Sequence, residues 1–240
     1  MQINVYHLMK SIFSVLLFGA LVAGTGVGCT KKVSSVNQGT TNLSLLALGD
    51  SYTIGQLVGE SERFASQTAV LLKQDKINLA PITYVAKTGW RTDEILAAID
   101  SSSLESKYDL VTVLAGVNDQ FQDVDTATYR TQFISLVEKA IHYAGDDPAH
   151  VFVLSMPDYG VTPSVPASDK AAVAQAIDNF NAINRDIASV HGCVYVDITP
   201  TTRLMMDDSS LIASDGLHPS GKEYAQWASL LAPLIHERVK

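Results

Sequence analysis

Five short apolar runs, four of them rich in β-branched residues, alternate along this chain with longer segments in which apolar residues recur every three or four positions. Such alternation is typical of strand-helix-strand units, which build parallel sheets. The predicted strands are residues 43–48, 82–86, 110–114, 151–154 and 194–196, and the predicted helices are residues 62–76, 92–99, 127–143, 170–190 and 221–239. The pattern therefore predicts an α/β fold built around a parallel sheet.

The last predicted helix carries a start signal. Ser220 and Glu223 have the spacing of a capping box, directly after Pro219. We expect this cap to hold the loop that precedes the helix.

The chain has 240 residues, which is enough for one well-buried domain, and we place that domain at residues 43–240. The whole chain has 17 Lys and Arg residues against 25 Asp and Glu residues, which gives a formal net charge of −8. An acidic surface argues against nucleic acid as a partner.

The first 28 residues predict a secretion signal peptide. They contain no acidic residue, and Lys10 precedes an apolar run over residues 12–23 that is short for a membrane span. Cys29 follows Gly28 as in the lipidation box of bacterial lipoproteins, which this segment resembles although Gly26 stands where leucine is usual. We expect lipid attachment at Cys29. The alternative is an incidental cysteine beside a signal peptide that ordinary signal peptidase removes.

Polar residues without apolar periodicity follow this cysteine, so residues 29–42 are interpreted as a flexible tether. Together with the signal peptide, the tether predicts a secreted protein that is held at the outer membrane or cell surface. Contact with the membrane is then expected only through the lipid anchor.

Four short motifs, far apart in the chain, combine the residue types of a serine esterase. Ser51 follows an apolar run, where a buried strand would end and a helix begin. Asp215 stands three residues before His218, close enough to accept the Nδ1 proton of that histidine and to fix its tautomer. Taken singly, Ser51 can be read as a helix cap, His218 as a packing residue and Asp215 as a turn residue.

These motifs resemble the signature blocks of the SGNH/GDSL hydrolase family, and their order matches from residue 45 to the C-terminus. The matching blocks are Gly49-Asp50-Ser51-Tyr52, Gly89, Gly116-Val117-Asn118-Asp119 and Asp215-Gly216-Leu217-His218. Tyr52 stands where the family's namesake motif has leucine. The resemblance implies a three-layer α/β/α domain with a mostly parallel five-stranded sheet, flavodoxin-like in arrangement, and ester hydrolysis through an acyl-enzyme.

A serine acyl-enzyme needs hydrogen-bond donors aimed at the developing oxyanion. The candidates are the backbone N–H groups of Ser51 and Gly89 and the side-chain amide of Asn118. Gly89 and Asn118 can also be read as turn residues. Asp50 and Asp119 are expected to hold the serine and asparagine loops by hydrogen bonds and not to act as further catalytic carboxylates.

Substrate contacts are less strongly indicated. Tyr52, Trp90 and Arg91 are the candidates for the pocket, since they adjoin the motifs. Aromatic residues near a sheet edge are as often packing residues, and the same alternative applies to the flanking residues Gln120, Phe121 and Tyr159.

Several other chemistries lack support in the sequence. The two cysteines, Cys29 and Cys193, form no disulfide framework, and no motif of metal-ligand spacing is present, so we expect neither a metal nor a cofactor. Cys193 is interpreted as a small packing residue. The chain also lacks the Gly-x-Ser-x-Gly elbow of α/β-hydrolases.

The sequence thus predicts a carboxylic ester hydrolase with a Ser51-His218-Asp215 triad. Without an evident lid or helical insertion, short acyl groups are expected, such as acetyl esters of carbohydrate. The alternatives are a lysophospholipase or thioesterase of the same fold, or a surface binding protein that has lost the reaction.

Overall fold

The alternating pattern takes the form of a five-stranded, all-parallel sheet in the computed structural model, which describes residues 40–240. The sheet order is β2-β1-β3-β4-β5. The strands are β1 (Thr41–Gly49), β2 (Ile77–Ala86), β3 (Leu110–Leu114), β4 (Val151–Leu154) and β5 (Val194–Val196). The predictions for the signal peptide, for Cys29 and for most of the tether lie outside the described residues.

Helices cover both faces of this sheet. The α-helices are α1 (Ser51–Ile54), α2 (Phe64–Lys73), α3 (Thr92–Ser101), α4 (Val117–Phe121), α5 (Thr126–Tyr143), α6 (Lys170–His191), α7 (Thr199–Arg203) and α8 (Gly221–Arg238). Short 3₁₀ turns occur at Glu60–Glu62, Pro148–His150, Tyr159–Val161, Leu204–Met206 and Ser209–Leu211. Helix α2 packs against α8, whereas α3, α5 and α6 pack in series with one another. Because strand crossovers are right-handed, the reversal of direction at β1 places α2 and α3 on opposite faces.

The centre of the sheet is buried on both faces. All residues of β3 and β4 are buried, and the four residues from Leu45 to Leu48 in β1 have no exposed surface. Continuous apolar strands of this kind are typical of parallel sheets covered by helices on both sides. The predicted α/β/α architecture with five strands is confirmed.

Most strand boundaries agree with the sequence prediction, and β3, β4 and β5 agree at both ends. Strand β1 begins at Thr41, so Thr41 and Asn42, which we had assigned to the tether, pair with Ile77 and Asn78 of β2. The end of the tether was therefore predicted two residues too late. Their polar side chains hid this end of the strand, because a short exposed extension has no apolar pattern.

Strand β2 begins five residues earlier than predicted. Pro81 interrupts its pattern, since proline cannot donate a ladder hydrogen bond and is confined in sheets to edge strands or bulges. Here β2 lies at the edge of the sheet, and β1 has a register shift between Leu43 and Leu45 opposite the proline. The edge position explains why the strand continues through this residue.

The predicted capping box of α8 is wrong. Ser220 is the N-cap residue, but its side chain accepts no hydrogen bond from the helix and instead donates to the carbonyl of Ser210 at 2.8 Å. The Glu223 carboxylate is buried and accepts from Thr201 Oγ1 at 2.8 Å and Trp227 Nε1 at 2.7 Å. Packing against α7 thus outweighed the local motif.

The strand order places the site at the carboxyl ends of the strands. The first crossover runs from β1 to β2 on one side, and β3 then pairs with the other side of β1. In open parallel sheets such a reversal leaves a crevice outside the carboxyl ends of the strands. Ser51, Gly89 and Asn118 follow β1, β2 and β3 respectively, so all three lie at the carboxyl ends of the strands.

Within residues 40–240, none of the helices combines the length and the apolar character needed to cross a lipid bilayer.

Candidate active site

Ser51 is the first residue of the short helix α1, directly after β1. The helix is capped by Asp50, whose Oδ1 accepts the N–H of Tyr52 at 2.9 Å. The Ser51 hydroxyl lies 2.9 Å from Nε2 of His218. The hydroxyl is therefore directed at the imidazole, and the reading of Ser51 as a helix cap does not describe this side chain.

His218 is oriented by Asp215. Its Nδ1 lies 2.6 Å from Asp215 Oδ2, and Asp215 Oδ1 accepts the backbone N–H groups of Leu217 and His218, both at 3.0 Å. With Nδ1 facing a carboxylate, we assign the ring proton to Nδ1, which leaves Nε2 free to accept from Ser51. The structure brings together the three residues of the predicted triad.

Asp215 is suited to stay ionised beside the histidine. Burial acts to raise its pKa, but hydrogen bonds from the His218 ring and from the two backbone N–H groups outweigh that effect, and the pKa lies below its ordinary value. The ring of Tyr52 lies 5.2 Å from the His218 ring between centroids. His218 is itself buried, so its position is fixed from two sides.

Ser51 and Gly89 line the same cleft, and their backbone N–H groups are the predicted oxyanion donors. Neither has an acceptor among residues 40–240. Gly89 has a φ of 82°, which favours glycine, and a Cβ added there would meet no atom within 4 Å. Two unpaired donors beside the Ser51 hydroxyl have the composition of an oxyanion hole.

The side-chain amide of Asn118 already donates hydrogen bonds within the protein. Its Nδ2 lies 3.1 Å from Asp50 Oδ2 and 3.1 Å from the carbonyl oxygen of Trp90. The helix α4 that carries it begins after Gly116, whose φ is 115° and where a Cβ would collide with the Tyr129 hydroxyl and the Met156 sulfur. The glycine turns the chain sharply, and the turn brings Asn118 to the cleft.

Two further carboxylates are buried behind these residues, and both accept hydrogen bonds across loops, as expected. Asp119 accepts from the Thr92 N–H and hydroxyl, both at 3.0 Å to Oδ2, and so joins α4 to α3. Burial raises the pKa of Asp119. For Asp50, burial and the charge of Asp119 outweigh the hydrogen bonds from Tyr52 and Asn118, and they raise the pKa from 3.8 to about 7.

The cleft above the triad has a volume of about 170 Å³. Its lining residues are Ser51, Tyr52, Thr88, Gly89, Val117, Asn118, Phe121, Tyr159, Leu217 and His218. Tyr52, one of the predicted pocket residues, thus lines it. Three lining residues were not predicted for the pocket: Thr88, Val117 and Leu217. They directly precede Gly89, Asn118 and His218. Adjacency alone could not have identified them, since Trp90 also adjoins Gly89 and does not line the cleft.

Trp90 and Arg91 are not among the residues that line the cleft, and their contact with substrate stays a prediction. The Trp90 side chain packs against the hydrophobic core. Arg91 forms a bidentate pair with Asp93 at 3.0 and 2.9 Å and donates to Gln122 at 2.8 Å. The guanidinium is therefore engaged by Asp93, on α3, and by Gln122, directly after α4.

One wall of the cleft consists of Phe121 and Tyr159, packed edge to face with centroids 6.1 Å apart. The Tyr159 hydroxyl donates to Gln120 Oε1 at 2.8 Å, which ties the wall to α4. Tyr159 is buried, whereas Phe121 is 68% exposed. Gln120 thus supports the wall from behind, and Phe121 lies at the rim.

Cys193 is half-buried against the core, and burial raises the pKa of its thiol to about 12. Within the part of the chain that the structure describes, no three His, Cys, Asp or Glu side chains are grouped so as to hold a metal ion.

Comparison with known proteins gives one family. The profile of the GDSL-like Lipase/Acylhydrolase family matches residues 47–226. No curated protein is significantly similar to this chain.

Solved structures share the fold at low sequence identity. The crystal structure of TesA has 16% identity and a TM-score of 0.63, with 82% of this chain and 99% of that chain covered. The lipase/acylhydrolase from Enterococcus faecalis has 21% identity and a TM-score of 0.61, with 82% and 97% covered. Axe2, an acetylxylan esterase from Geobacillus stearothermophilus, has 16% identity and a TM-score of 0.60, with 82% and 94% covered.

The raised pKa of Asp50 predicts a pH-dependent loss of stability. Between about pH 4 and about pH 7 the folded state retains a proton that the unfolded chain has released, so the free energy of unfolding falls as the pH rises, by at most about 1.4 kcal/mol per pH unit for one group. In Asp50→Asn this contribution is absent.

Urea unfolding of both proteins across this pH range measures the difference. We expect the stability of the wild type relative to Asp50→Asn to decline with rising pH and to level off above about pH 7. A difference that does not change with pH would show that Asp50 titrates normally.

Proposed function

The chain belongs to the GDSL-like lipase/acylhydrolase family and is an ester-hydrolysing enzyme, and we propose that it acts through an acyl-enzyme on Ser51, with short acyl esters of carbohydrate as substrates. The observation that carries this proposal is the continuous hydrogen-bonded series from Asp215 through His218 to Ser51, at 2.6 and 2.9 Å. A hydroxyl, an imidazole and a carboxylate in this order can generate a nucleophile at neutral pH.

In the acylation step, Ser51 Oγ attacks the ester carbonyl carbon while His218 Nε2 takes the hydroxyl proton. The carbonyl oxygen becomes an oxyanion, and the Asp215 carboxylate stabilises the imidazolium without taking its proton. The tetrahedral intermediate then collapses. The bond to the alcohol oxygen breaks, and His218 gives its proton to the departing alkoxide, which leaves as the neutral alcohol.

In the deacylation step, water hydrolyses the acyl-enzyme. His218 Nε2 removes a proton from a water molecule as its oxygen attacks the acyl carbon, and the second tetrahedral intermediate releases Ser51 Oγ with the proton from His218. The carboxylic acid leaves and the serine hydroxyl is restored. No oxidant, reductant or further reactant takes part.

The two unpaired N–H groups of Ser51 and Gly89 are the donors that can receive the oxyanion without breaking any existing hydrogen bond. Such preorganised donors are worth most in a site with little water. Asn118 belongs to the same site, but both hydrogens of its amide already have acceptors.

The size of the cleft favours a short acyl group. Its volume of about 170 Å³ is below the roughly 300–1,000 Å³ of clefts that enclose drug-sized ligands. Two of the residues that line it, Tyr52 and Val117, are buried and belong to the hydrophobic core. The fold shared with an acetylxylan esterase is consistent with an acetyl ester on a sugar.

One observation favours a second candidate, a lysophospholipase or thioesterase. Phe121 exposes 68% of its surface at the rim of the cleft, where a longer acyl chain would leave the enclosed space. The two candidates differ in the chain length that they prefer.

We also propose secretion and lipid attachment at Cys29. Both depend on residues outside the part of the chain that the structure describes. We expect radiolabelled palmitate to enter the wild-type protein in cells and to be absent from Cys29→Ala. Equal labelling of both proteins, or of neither, would contradict attachment at this cysteine.

A fluorophosphonate probe tests for the activated serine. The purified protein is expected to carry the adduct on Ser51 by mass spectrometry, whereas Ser51→Ala and His218→Ala remain unlabelled. Both variants should lose esterase activity by about 10⁴-fold to 10⁶-fold, the loss typical of triad residues that act as a unit. Ser229→Ala removes an exposed serine of α8 and serves as the matched control. Failure of the folded wild type to react would refute the mechanism.

Nitrophenyl esters of increasing chain length test the substrate class. We expect kcat/KM to be highest for acetyl and to fall by about tenfold or more at octanoyl, because the longer chain cannot be enclosed. Leu217→Ala enlarges the cleft and should shift the preference toward longer chains. A steep rise of the wild type toward octanoyl would instead support the lysophospholipase or thioesterase.

A further inference from the structure

The Asn118 amide joins two turns of the site. Its nitrogen lies 3.1 Å from Asp50 Oδ2, in the turn after β1, and 3.1 Å from the Trp90 carbonyl, in the turn after β2. A primary amide has two hydrogens, so both are engaged. These turns also carry the N–H groups of Ser51 and Gly89. The Asn118 bridge therefore fixes how the two unpaired donors lie relative to each other.

Asp50 is the charged end of this bridge. It is fully buried, and its two oxygens accept from Tyr52 N–H at 2.9 Å and from Asn118. Among residues 40–240, Asp50 forms no ion pair with a lysine or arginine. Its contacts are therefore with neutral donors only.

The groups that face Asp50 leave its ionisation finely balanced. Asp119, on α4, opposes the negative charge, and burial raises the pKa to about 7. Three buried phenols surround it, on α1, α5 and α8, and stay neutral because burial raises their pKa well above 10.0: Tyr52, Tyr129 and Tyr224. His218 is the other titratable group nearby, since its Nε2 contacts the hydroxyl of Ser51, the residue after Asp50.

We propose that Asp50 is a positioning residue for ester hydrolysis, and that in its ionised form it holds the Asn118 amide across the two turns of the oxyanion hole. The inference rests on the proposed function. An ionised carboxylate only accepts hydrogen bonds, which matches the two N–H donors that reach it. Protonation turns one oxygen into a hydroxyl and weakens the acceptor on which the bridge depends. Full activity then requires that both His218 and Asp50 are unprotonated.

The slope of the acid limb of the pH profile gives the number of groups that must be unprotonated. We expect log kcat/KM for 4-nitrophenyl acetate to fall toward low pH with a slope that approaches two in the wild type and one in Asp50→Asn. The two donors reach different oxygens of Asp50, and asparagine presents an NH₂ donor in place of one of them. Its kcat at about pH 8 should fall by about tenfold to 100-fold, somewhat less than the loss of a whole oxyanion-hole donor.

Asp125→Asn is the matched control, because Asp125 also caps a helix with its carboxylate but lies on the exposed start of α5. This variant should keep the wild-type slope and kcat. A wild-type slope of one would overturn the proposal, and this measurement needs no variant to fold.

A double-mutant cycle with Asn118→Ala tests whether Asp50 acts through that residue. If it does, the double variant should be no slower than Asn118→Ala alone, since the bridge is already lost. Losses that add fully would overturn the proposal, as would an unchanged kcat in folded Asp50→Asn. A wild type that neither labels at Ser51 nor hydrolyses any ester would refute the proposed function as well. A labelled, active wild type with a slope of one would refute only the role of Asp50.

Discussion

The pairing of β1 between β2 and β3 is the constraint on which the site depends. Its central residues, Leu45 to Leu48, are buried without exposed surface, and helices cover the sheet on both faces. Because all the strands are parallel, the turns after β1, β2 and β3 open at one edge. Residues separated by up to 167 positions in the chain, Ser51 and His218, thereby come within 2.9 Å. Local sequence supplies each side chain, and burial of the sheet brings them together.

The site contains three carboxylates, Asp50, Asp119 and Asp215, whose surroundings shift their pKa values in different directions. Asp215, at the surface of the site, is held ionised by one imidazole and two backbone N–H groups. Asp50 and Asp119 are buried, have no cationic partner among the described residues and have raised pKa values. The exposed acid thus stabilises a positive charge on His218, whereas the buried pair organises backbone. Environment, more than residue type, divides these roles.

Much of this arrangement could be predicted from the sequence, and the failures have physical causes. Strands β3 to β5 were predicted at both ends because apolar burial on two faces leaves a continuous pattern. Helices α4 and α7 were not predicted, since five residues each are too few for a period to emerge. The triad was identifiable because Asp215 and His218 share one turn. Trp90 and Arg91 do not line the cleft, because closeness to Gly89 in the chain does not fix where a side chain points.

The direction of β1 also determines how the domain presents its substrate cleft. The chain enters the strand at Thr41 and reaches Ser51 only beyond its opposite end, so the nine residues of β1 separate the two by about 30 Å. Whatever holds the protein by the segment before this strand is attached at the end of the domain remote from the cleft. If the proposed lipid attachment at Cys29 holds the protein by that segment, the cleft opens at the opposite end of the domain from the attached end.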